Sequence, residues 1–397
     1  MTDRVNYPSL DKQSIELAIS LPARQLADAG ASFAIAATFT AEPVEASLSY
    51  WLEQFGLPHQ IRFAPFNQVF QALLDPRSLL RTNEGGTNIL LVRPQDWLEV
   101  SNEQKQVFTA DDWRQRLSSP VEEFILTVKR ASESAIPLIV MVCPPSEMLL
   151  RESSVAETMH DFECRISQGL GGVGGIHVIT SAAMADFYPV VNYYDAKSES
   201  IGRIPYTPVY FAAMGTMLAR TALAVRRPPF KVVALDCDNT LWQGVCGEGG
   251  VAAVAVSESF CELQRFFVSQ SKKGKLLCLC SKNVEQDVFD IFDNHPGMVL
   301  TRDRLVSWRI NWNPKSQNLR DLASELNLGI DSFVFLDDNP VECAEVRANA
   351  PQVLALKIPD DSAKIPRFLR HIWALDQLAV SDQDRKRTLQ YLSLIHI

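Results

Sequence analysis

Two carboxylates separated by one residue stand directly after an apolar run in the middle of the chain. The run Val232 to Leu235 (VVAL) predicts a buried strand, and Asp236 and Asp238 follow it. Because side chains alternate along an extended backbone, both acids lie on the same side. Their charges repel, and a bound Mg²⁺ with oxygen ligands would relieve that repulsion. A carboxylate beside Mg²⁺ can attack phosphorus while its neighbour transfers a proton.

Three later segments carry polar side chains where apolar runs end or a helix begins, namely Ser281-Lys282-Asn283, Lys315 and Asp337-Asp338. The hydroxyl and amide of the first segment could hold a phosphoryl oxygen. The lysine could neutralise charge on a pentacoordinate phosphorus. The second acidic pair would complete a Mg²⁺ site with Asp236.

Each of these features also has an ordinary structural interpretation. An acidic pair can be a solvated turn, Ser281 can cap a helix, and Lys315 can be a solvated cation. Their order along the chain, with both acidic pairs directly after apolar runs, favours one shared site over separate coincidences. The carboxyl ends of parallel strands meet at one crevice of an open α/β sheet, so the segments are predicted to converge there.

The stretches between these residues alternate between strand-like and helical patterns, which predicts parallel sheets. The predicted strands are residues 32–40, 61–63, 88–92, 136–143, 176–180, 232–235, 275–280 and 333–336. Pro228-Pro229 ends a helix and marks a boundary. We therefore predict an N-terminal α/β domain at 1–228, a catalytic domain at 229–360 and a helical extension at 361–397. The extension ends on apolar, uncapped residues, so we expect the natural chain to continue or these residues to be foreign.

The N-terminal domain could be an esterase, since several hydrolase folds show the same alternation. No GxSxG motif is present, however, and Thr38-Phe39-Thr40 stand where a strand-end serine would be expected. A binding or scaffolding domain is therefore favoured over a second catalytic centre. The glycine-rich run at 169–175 precedes a strand instead of opening a helix, which indicates a turn and not a nucleotide loop.

Composition excludes several classes of function. A net charge of -9 over 397 residues argues against general binding to nucleic acid or to an anionic membrane. The N-terminus lacks a signal-peptide pattern, and no uninterrupted apolar run reaches the ~20 residues of a membrane span. The eight cysteines form no CxxC pairs, so we expect reduced thiols and a cytoplasmic protein.

The order of these segments resembles the haloacid dehalogenase-like phosphotransferase superfamily, with DCDNT as its first motif. The resemblance implies a HAD-like Rossmannoid domain with a minimal cap, preceded by an SGNH-hydrolase-like or flavodoxin-like domain. It implies that Asp236 is the nucleophile and Asp238 the general acid/base. Mg²⁺ would be held by Asp236, by the backbone carbonyl of Asp238, and by Asp337 and Asp338. Thr240 would contact the substrate, together with the segment at 281–283.

A closer resemblance rests on DCDNTLWQGVCGEGG, FLDDNPVECAEVR, TFTAEP, FAPFNQVFQALLDP and IPYTPVYFAAMGT. These segments are similar to the FkbH-like proteins of polyketide biosynthesis. The resemblance implies a glyceryl transferase/phosphatase with a phosphorylated three-carbon substrate. Such an enzyme removes both phosphates of 1,3-bisphosphoglycerate and loads the glyceryl unit as a thioester on an acyl carrier protein. The open alternative is a phosphatase of a small metabolite or a phosphoprotein; a non-enzymatic docking module for a carrier is a third interpretation.

Acyl transfer would require a thiol, and Cys237 and Cys246 are the candidates. Strand alternation predicts that Cys237 points into the core, whereas Cys246 lies in a loop and has no such constraint. Both cysteines could equally be structural, because buried cysteine is usually inert. A minimal cap would admit the arm of a carrier protein, and the basic residues that could meet it are Arg226, Arg227, Lys272, Lys273 and Lys275.

Overall fold

The computed structural model describes residues 31–98, 102–105, 107–378, 384, 386, 387, 390 and 391. This part of the chain divides into two compact units, one ending at Arg226 (unit 1) and the other beginning at Arg227 (unit 2). The division falls two residues before the predicted boundary. Outside the described residues lie the first thirty residues, where SIELAISLPARQLADAG predicts a helix, and part of the C-terminal extension, including its apolar end.

Unit 1 is built on a five-stranded parallel sheet with the order β2-β1-β3-β4-β5. Its strands are β1 (Ala31–Ala37), β2 (His59–Phe63), β3 (Thr87–Val92), β4 (Leu138–Val142) and β5 (Ile176–Ile179). The central strands β3 and β4 are buried along their whole length. Helices cover both faces of such a sheet, which explains why these strands read as continuous apolar runs.

The helices of unit 1 fill the connections between these strands or follow the last of them. They are α1 (Val44–Gln54), α2 (Val69–Leu74), α3 (Asn102–Lys105), α4 (Ala110–Ala131), α5 (Ser153–Leu170), α6 (Ser181–Phe187), α7 (Ala196–Gly202) and α8 (Pro208–Arg226). Helix α8 packs against α1, where Trp51 donates to Thr216 at 2.9 Å and a Cβ at Gly215 would overlap Ser47. This helix has the length and composition of a membrane span, and its side chains are mostly buried inside the protein.

Unit 2 contains a second five-stranded parallel sheet with the order β10-β9-β6-β7-β8. Its strands are β6 (Val232–Leu235), β7 (Leu276–Ser281), β8 (Leu305–Ile310), β9 (Phe333–Asp337) and β10 (Leu354–Lys357). The helices are α9 (Glu258–Lys272), α10 (Glu285–Asn294), α11 (Lys315–Glu325), α12 (Pro340–Asn349) and α13 (Ile365–Arg370). Strands β8 and β10 were not predicted from the sequence; β8 mixes apolar residues with serine and arginine, which hides it.

The two strand orders confirm the predicted α/β class, with parallel sheets in both units. In unit 2, β6 is the first strand along the chain, and the strand order counted from it is that of a Rossmann-like sheet. The order of unit 1 is that of a flavodoxin-like sheet. In both arrangements the chain reverses its direction across the sheet beside the first strand, and a crevice opens there at the carboxyl ends of the strands.

Candidate active site

The first acidic pair and the second acidic pair meet because β6 and β9 are neighbours in the sheet of unit 2. The strands pair in parallel with Leu235 opposite Leu336, so Asp236 and Asp337 occupy adjacent positions at the carboxyl edge. The backbone N–H of Asp236 donates to the carbonyl of Leu336 at 3.0 Å, which continues the pairing to the last residue.

Three carboxylates form a compact group at this edge. Oxygens of Asp236, Asp337 and Asp338 all lie within 4.8 Å of one another. Burial and the charge of Asp337 raise the pKa of Asp236, and the same two causes raise the pKa of Asp338 to about 6. A cation would relieve this repulsion. The donor set consists of carboxylate oxygens only, which fits Mg²⁺.

Lys315 joins this group from the first turn of α11. Its ammonium donates to Asp236, to the carbonyl of Cys280 at 2.8 Å and to Asp337 at 3.0 Å. Burial alone would lower the pKa of this lysine, but the charges of Asp236 and Asp337 outweigh burial and raise it. Lys315 is therefore a fixed cation beside the carboxylate that would attack phosphorus.

Asp238 faces the same cavity, but its carboxylate lies outside the three-carboxylate group and accepts hydrogen bonds from three donors. One oxygen accepts from the indole of Trp242 at 2.9 Å and from the backbone N–H of Cys246 at 3.1 Å. The other oxygen accepts from the amide of Asn283 at 3.0 Å. The side chain of Asp238 is thus held apart from the three-carboxylate group.

A cavity of about 390 Å³ opens over these groups. Its lining includes the three residues that were predicted to hold a phosphoryl oxygen, Ser281, Lys282 and Asn283. Asn283 donates to the hydroxyl of Ser281 at 3.2 Å, and Lys282 pairs with Glu342 at 2.6 Å. The structure therefore brings the four predicted segments around one space.

Three predicted site residues do not line this cavity. Thr240 is fully buried, and its hydroxyl accepts the backbone N–H of Asp338 at 3.2 Å, so it supports the loop after β9. Cys237 is fully buried, and burial together with the charge of Asp236 raises its pKa. Cys246 is also buried, but its sulfur lies 3.5 Å from the side-chain oxygen of Asn283, which is a lining residue.

Several residues of the site carry no signal in the sequence. Trp242 and the backbone of Cys246 reach Asp238 only because the loop after β6 folds back on itself. Glu345 accepts from the backbone and the hydroxyl of Ser316 and so fixes the start of the helix that carries Lys315. These contacts depend on tertiary placement, and the residue types alone do not indicate them.

The basic residues predicted to meet a carrier do not form one exposed group. Lys275 is 1% exposed and donates to Gln377 at 2.9 Å and to the carbonyl of Leu375 at 3.3 Å. Arg227 is 6% exposed and donates to the carbonyl of Ala374 at 2.6 Å. Both side chains are buried because they hydrogen-bond to the segment 374–377, which begins 147 residues after Arg227 and about a hundred residues after Lys275, so neither is exposed to meet a carrier.

Comparisons with known proteins place the fold. No sequence family matches the chain, and no curated protein matches it. Among solved structures, the chain is similar to the N-terminal part of the protein BF1531 from Bacteroides fragilis, which is described as containing a phosphatase domain complexed with Mg. The two share 20% sequence identity with a TM-score of 0.72, over 92% of this chain and 99% of the other. Both units therefore share their α/β fold with that protein.

Proposed function

We propose that the chain is a Mg²⁺-dependent phosphatase of the haloacid dehalogenase-like kind, which forms an aspartyl phosphate on Asp236. One observation carries the proposal. Three carboxylates and the ammonium of Lys315 meet at the crevice where β6 and β9 end, with Asp238 held separately beside them. The solved phosphatase domain that contains Mg has the same fold, which supports the proposal.

The residues divide the reaction between them. Asp236 attacks phosphorus, so that a bond from its carboxylate oxygen forms while the bond to the leaving oxygen breaks. Asp238 donates a proton to that leaving oxygen and then takes one from the water that hydrolyses the aspartyl phosphate. Lys315 and Ser281 hold the phosphoryl oxygens. When bound by Asp236, Asp337 and Asp338, Mg²⁺ supplies charge neutralisation for the phosphoryl group.

Phosphate release from small phosphate esters tests this function. The wild-type protein should release phosphate with Mg²⁺ and not with a chelator. Asp236→Asn should abolish release, since an amide is a poor nucleophile, whereas the exposed Asp293→Asn should retain it. Equal activity of Asp236→Asn and the wild-type protein would overturn the proposal.

The finer function that we propose is transfer of a glyceryl unit from 1,3-bisphosphoglycerate to an acyl carrier protein. Cys246 is the better placed of the two thiols, because it contacts Asn283 in the cavity lining. Burial and the neighbouring Asp238 raise the pKa of Cys246 to about 12, so its proton must pass to a base, and Asp238 is at hand. The sulfur then attacks the acyl carbon, and the carbon–oxygen bond to the phosphate breaks. The carrier's phosphopantetheine thiol finally displaces Cys246 by thioester exchange.

Intact-mass measurement separates the transferase from a plain phosphatase of a small metabolite or phosphoprotein. The protein is mixed with 1,3-bisphosphoglycerate and a carrier, and a glyceryl adduct is sought on each. Cys246→Ser should lose the adduct and keep Mg²⁺-dependent release of phosphate from an ester, while Cys261→Ser should keep both. Carrier loading that survives both Cys246→Ser and Cys237→Ser would contradict the thiol route.

A further inference from the structure

A second polar cavity, of about 330 Å³, lies at the carboxyl edge of the sheet in unit 1. Its walls come from the loops that follow β1, β2 and β3, with Thr38 after the first of these strands and Arg93 after the third. In the order β2-β1-β3 the chain reverses direction between β1 and β3. Open α/β sheets bind their ligands at such a reversal.

Arg93 is the anchor of this cavity and is 2% exposed. Its guanidinium forms a bidentate pair with Asp96 at 2.7 and 2.9 Å and contacts Glu199 at 2.6 Å. Burial opposes the charged form, but Asp96 and Glu199 outweigh burial and raise the pKa of Arg93. The remaining terminal nitrogen, Nη1, has no hydrogen-bond partner among the described residues. A buried guanidinium donor without an acceptor is costly unless a ligand supplies one.

The two carboxylates around Arg93 are already engaged. Asp96 accepts from Arg93 and from the hydroxyl of Thr38 at 3.1 Å. Glu199 accepts from Arg93 and from the hydroxyl of Tyr194. These acids position the guanidinium and balance part of the positive charge around it.

The cavity nevertheless holds two more cations. Lys105 is 6% exposed, and its ammonium lies 4.0 Å from Asp96. Arg203 directly follows α7 and also lines the cavity. Its backbone carbonyl accepts the backbone N–H of Thr40 at 2.9 Å, which fixes the position of this residue. Burial lowers the pKa of Lys105, and the charges of Arg93 and Arg203 act in the same direction. Among the described lining residues there are thus three cations and one carboxylate, with Glu199 as a second carboxylate against Arg93, and an anion would be stabilised there.

The cavity lacks the groups of an esterase. Thr38 stands at the strand end, but its hydroxyl donates to Asp96 and accepts the backbone N–H of Arg93 at 3.0 Å. No histidine is present among the described residues that line the cavity. The carboxylate that accepts from this hydroxyl is already paired with Arg93, and without a histidine the lining has no Ser/Thr–His arrangement, so the site is suited to binding.

Apolar side chains complete the walls. Phe66 follows β2 and is 53% exposed, and Leu98 lies in the loop after β3. An aromatic side chain exposed to this extent beside a polar cavity offers a surface for the carbon part of a ligand. The volume fits a small organic molecule and excludes a macromolecular segment of any length.

We propose that this cavity is a second ligand site, which binds the oxyanion of a small organic acid or phosphate at Arg93, Lys105 and Arg203. The carbon part of the ligand rests against Phe66 and Leu98. The site belongs to unit 1 alone and does not depend on the phosphatase function proposed for unit 2.

Titration calorimetry on the full chain with a chelator present tests this site. The probes are benzoate and phenylphosphonate, with benzyl alcohol as the neutral comparison. One or both oxyanions should bind, and benzyl alcohol should not. Lys105→Gln should weaken binding roughly tenfold or more, because a charge-assisted bond is lost, whereas the exposed Lys129→Gln should leave it unchanged. Binding of benzoate alone identifies a carboxylate site, and binding of phenylphosphonate alone identifies a phosphate site.

A second variant guards against misfolding of the first. Phe66 is exposed, so Phe66→Asp should fold, and its charge should repel the oxyanion and weaken binding to a similar degree. Asp236→Asn should bind the probes like the wild-type protein, since Asp236 lies in unit 2. The proposal is overturned if neither oxyanion binds, or if bound oxyanion is insensitive to both Lys105→Gln and Phe66→Asp.

Discussion

The two units place cavities at equivalent points of their sheets and give them opposite charge. In unit 2 the edge beside β6 carries a group of three carboxylates with one buried lysine among them. In unit 1 the edge beside β1 carries three cations with one buried aspartate among them. The same topological rule opens both crevices, so topology decides where a ligand binds and the loop residues decide which charge it has.

Each edge contains buried ions of the minority charge, which hold their neighbours in place: Lys315 at the acidic edge, and Asp96 with Glu199 at the cationic edge. Lys315 bridges Asp236 and Asp337, and Asp96 engages Arg93 on one side while it approaches Lys105 on the other. Such an ion offsets part of the repulsion between like charges but not all of it. The repulsion that is left predicts a cation as the ligand of the acidic edge in unit 2 and an anion as the ligand of the cationic edge in unit 1.

Removing the minority ion from the acidic edge should have the largest effect. Lys315→Met leaves Asp236 and Asp337 buried without their counter-charge. We expect phosphate release to fall by about 10³-fold and the free energy of unfolding to fall by about 3 kcal/mol. Mg²⁺ should restore part of the stability and none of the activity. Initial rates and urea unfolding with and without Mg²⁺ measure both quantities.

The exposed Lys364→Met is the matched control for this variant and should change neither rate nor stability. If Lys315→Met kept wild-type stability in the absence of Mg²⁺, the lysine would not be offsetting the repulsion between Asp236 and Asp337. The acidic edge would then not resemble the cationic edge in the way described above.

The sequence predicted the acidic edge more completely than the cationic one, for a physical reason. Asp236 directly follows an apolar strand and Asp337 ends one. The change from apolar to acidic residues at the strand end therefore makes both visible in the sequence. Arg93 also follows an apolar strand, but its second carboxylate, Glu199, is 106 residues away. Burial of an ion depends on partners that only the folded chain assembles. The same limit explains why Arg227 and Lys275 were expected on the surface.

Asp238, which we propose transfers the proton at the acidic edge, should affect the rate of phosphate release without affecting metal binding. Asp238→Asn preserves the shape of the side chain that Trp242 and Asn283 hold, but it removes the exchangeable proton. We expect turnover to fall by about 10²-fold. Stabilisation by Mg²⁺ should match that of the wild-type protein, because the Asp238 side chain lies outside the three-carboxylate group.

Rates and melting temperatures across a Mg²⁺ titration distinguish these two roles. Loss of Mg²⁺-dependent stabilisation in Asp238→Asn would show that its carboxylate is a ligand, and the division of labour at this edge would need revision.

A counterpart on the cationic edge is Glu199→Gln. The amide keeps a bond to Tyr194 but removes one of the two charges that balance Arg93. We expect the free energy of unfolding to fall by about 2 kcal/mol, and an oxyanion that binds the cavity should restore part of it. Thermal unfolding with and without benzoate or phenylphosphonate measures the recovery.

The exposed Glu157→Gln serves as the control. Its thermal unfolding should match that of the wild-type protein, both without and with benzoate or phenylphosphonate. Equal gains for Glu199→Gln and the wild-type protein would mean that the ligand does not contact the charge of Arg93.

The smallest effect should come from a cation of the acidic edge that lies outside its buried group. Lys282 lines the cavity and pairs with Glu342 at 2.6 Å, but a third of its side chain is exposed, so water screens its charge. Lys282→Met should therefore raise the KM for a phosphate ester about threefold and leave kcat and stability nearly unchanged. Steady-state kinetics at low and moderate salt test this, with the exposed Lys272→Met as control. A large loss of kcat would show that Lys282 contacts the reacting groups. The positive charge that stabilises phosphoryl transfer would then come from Lys282 as well as from Lys315.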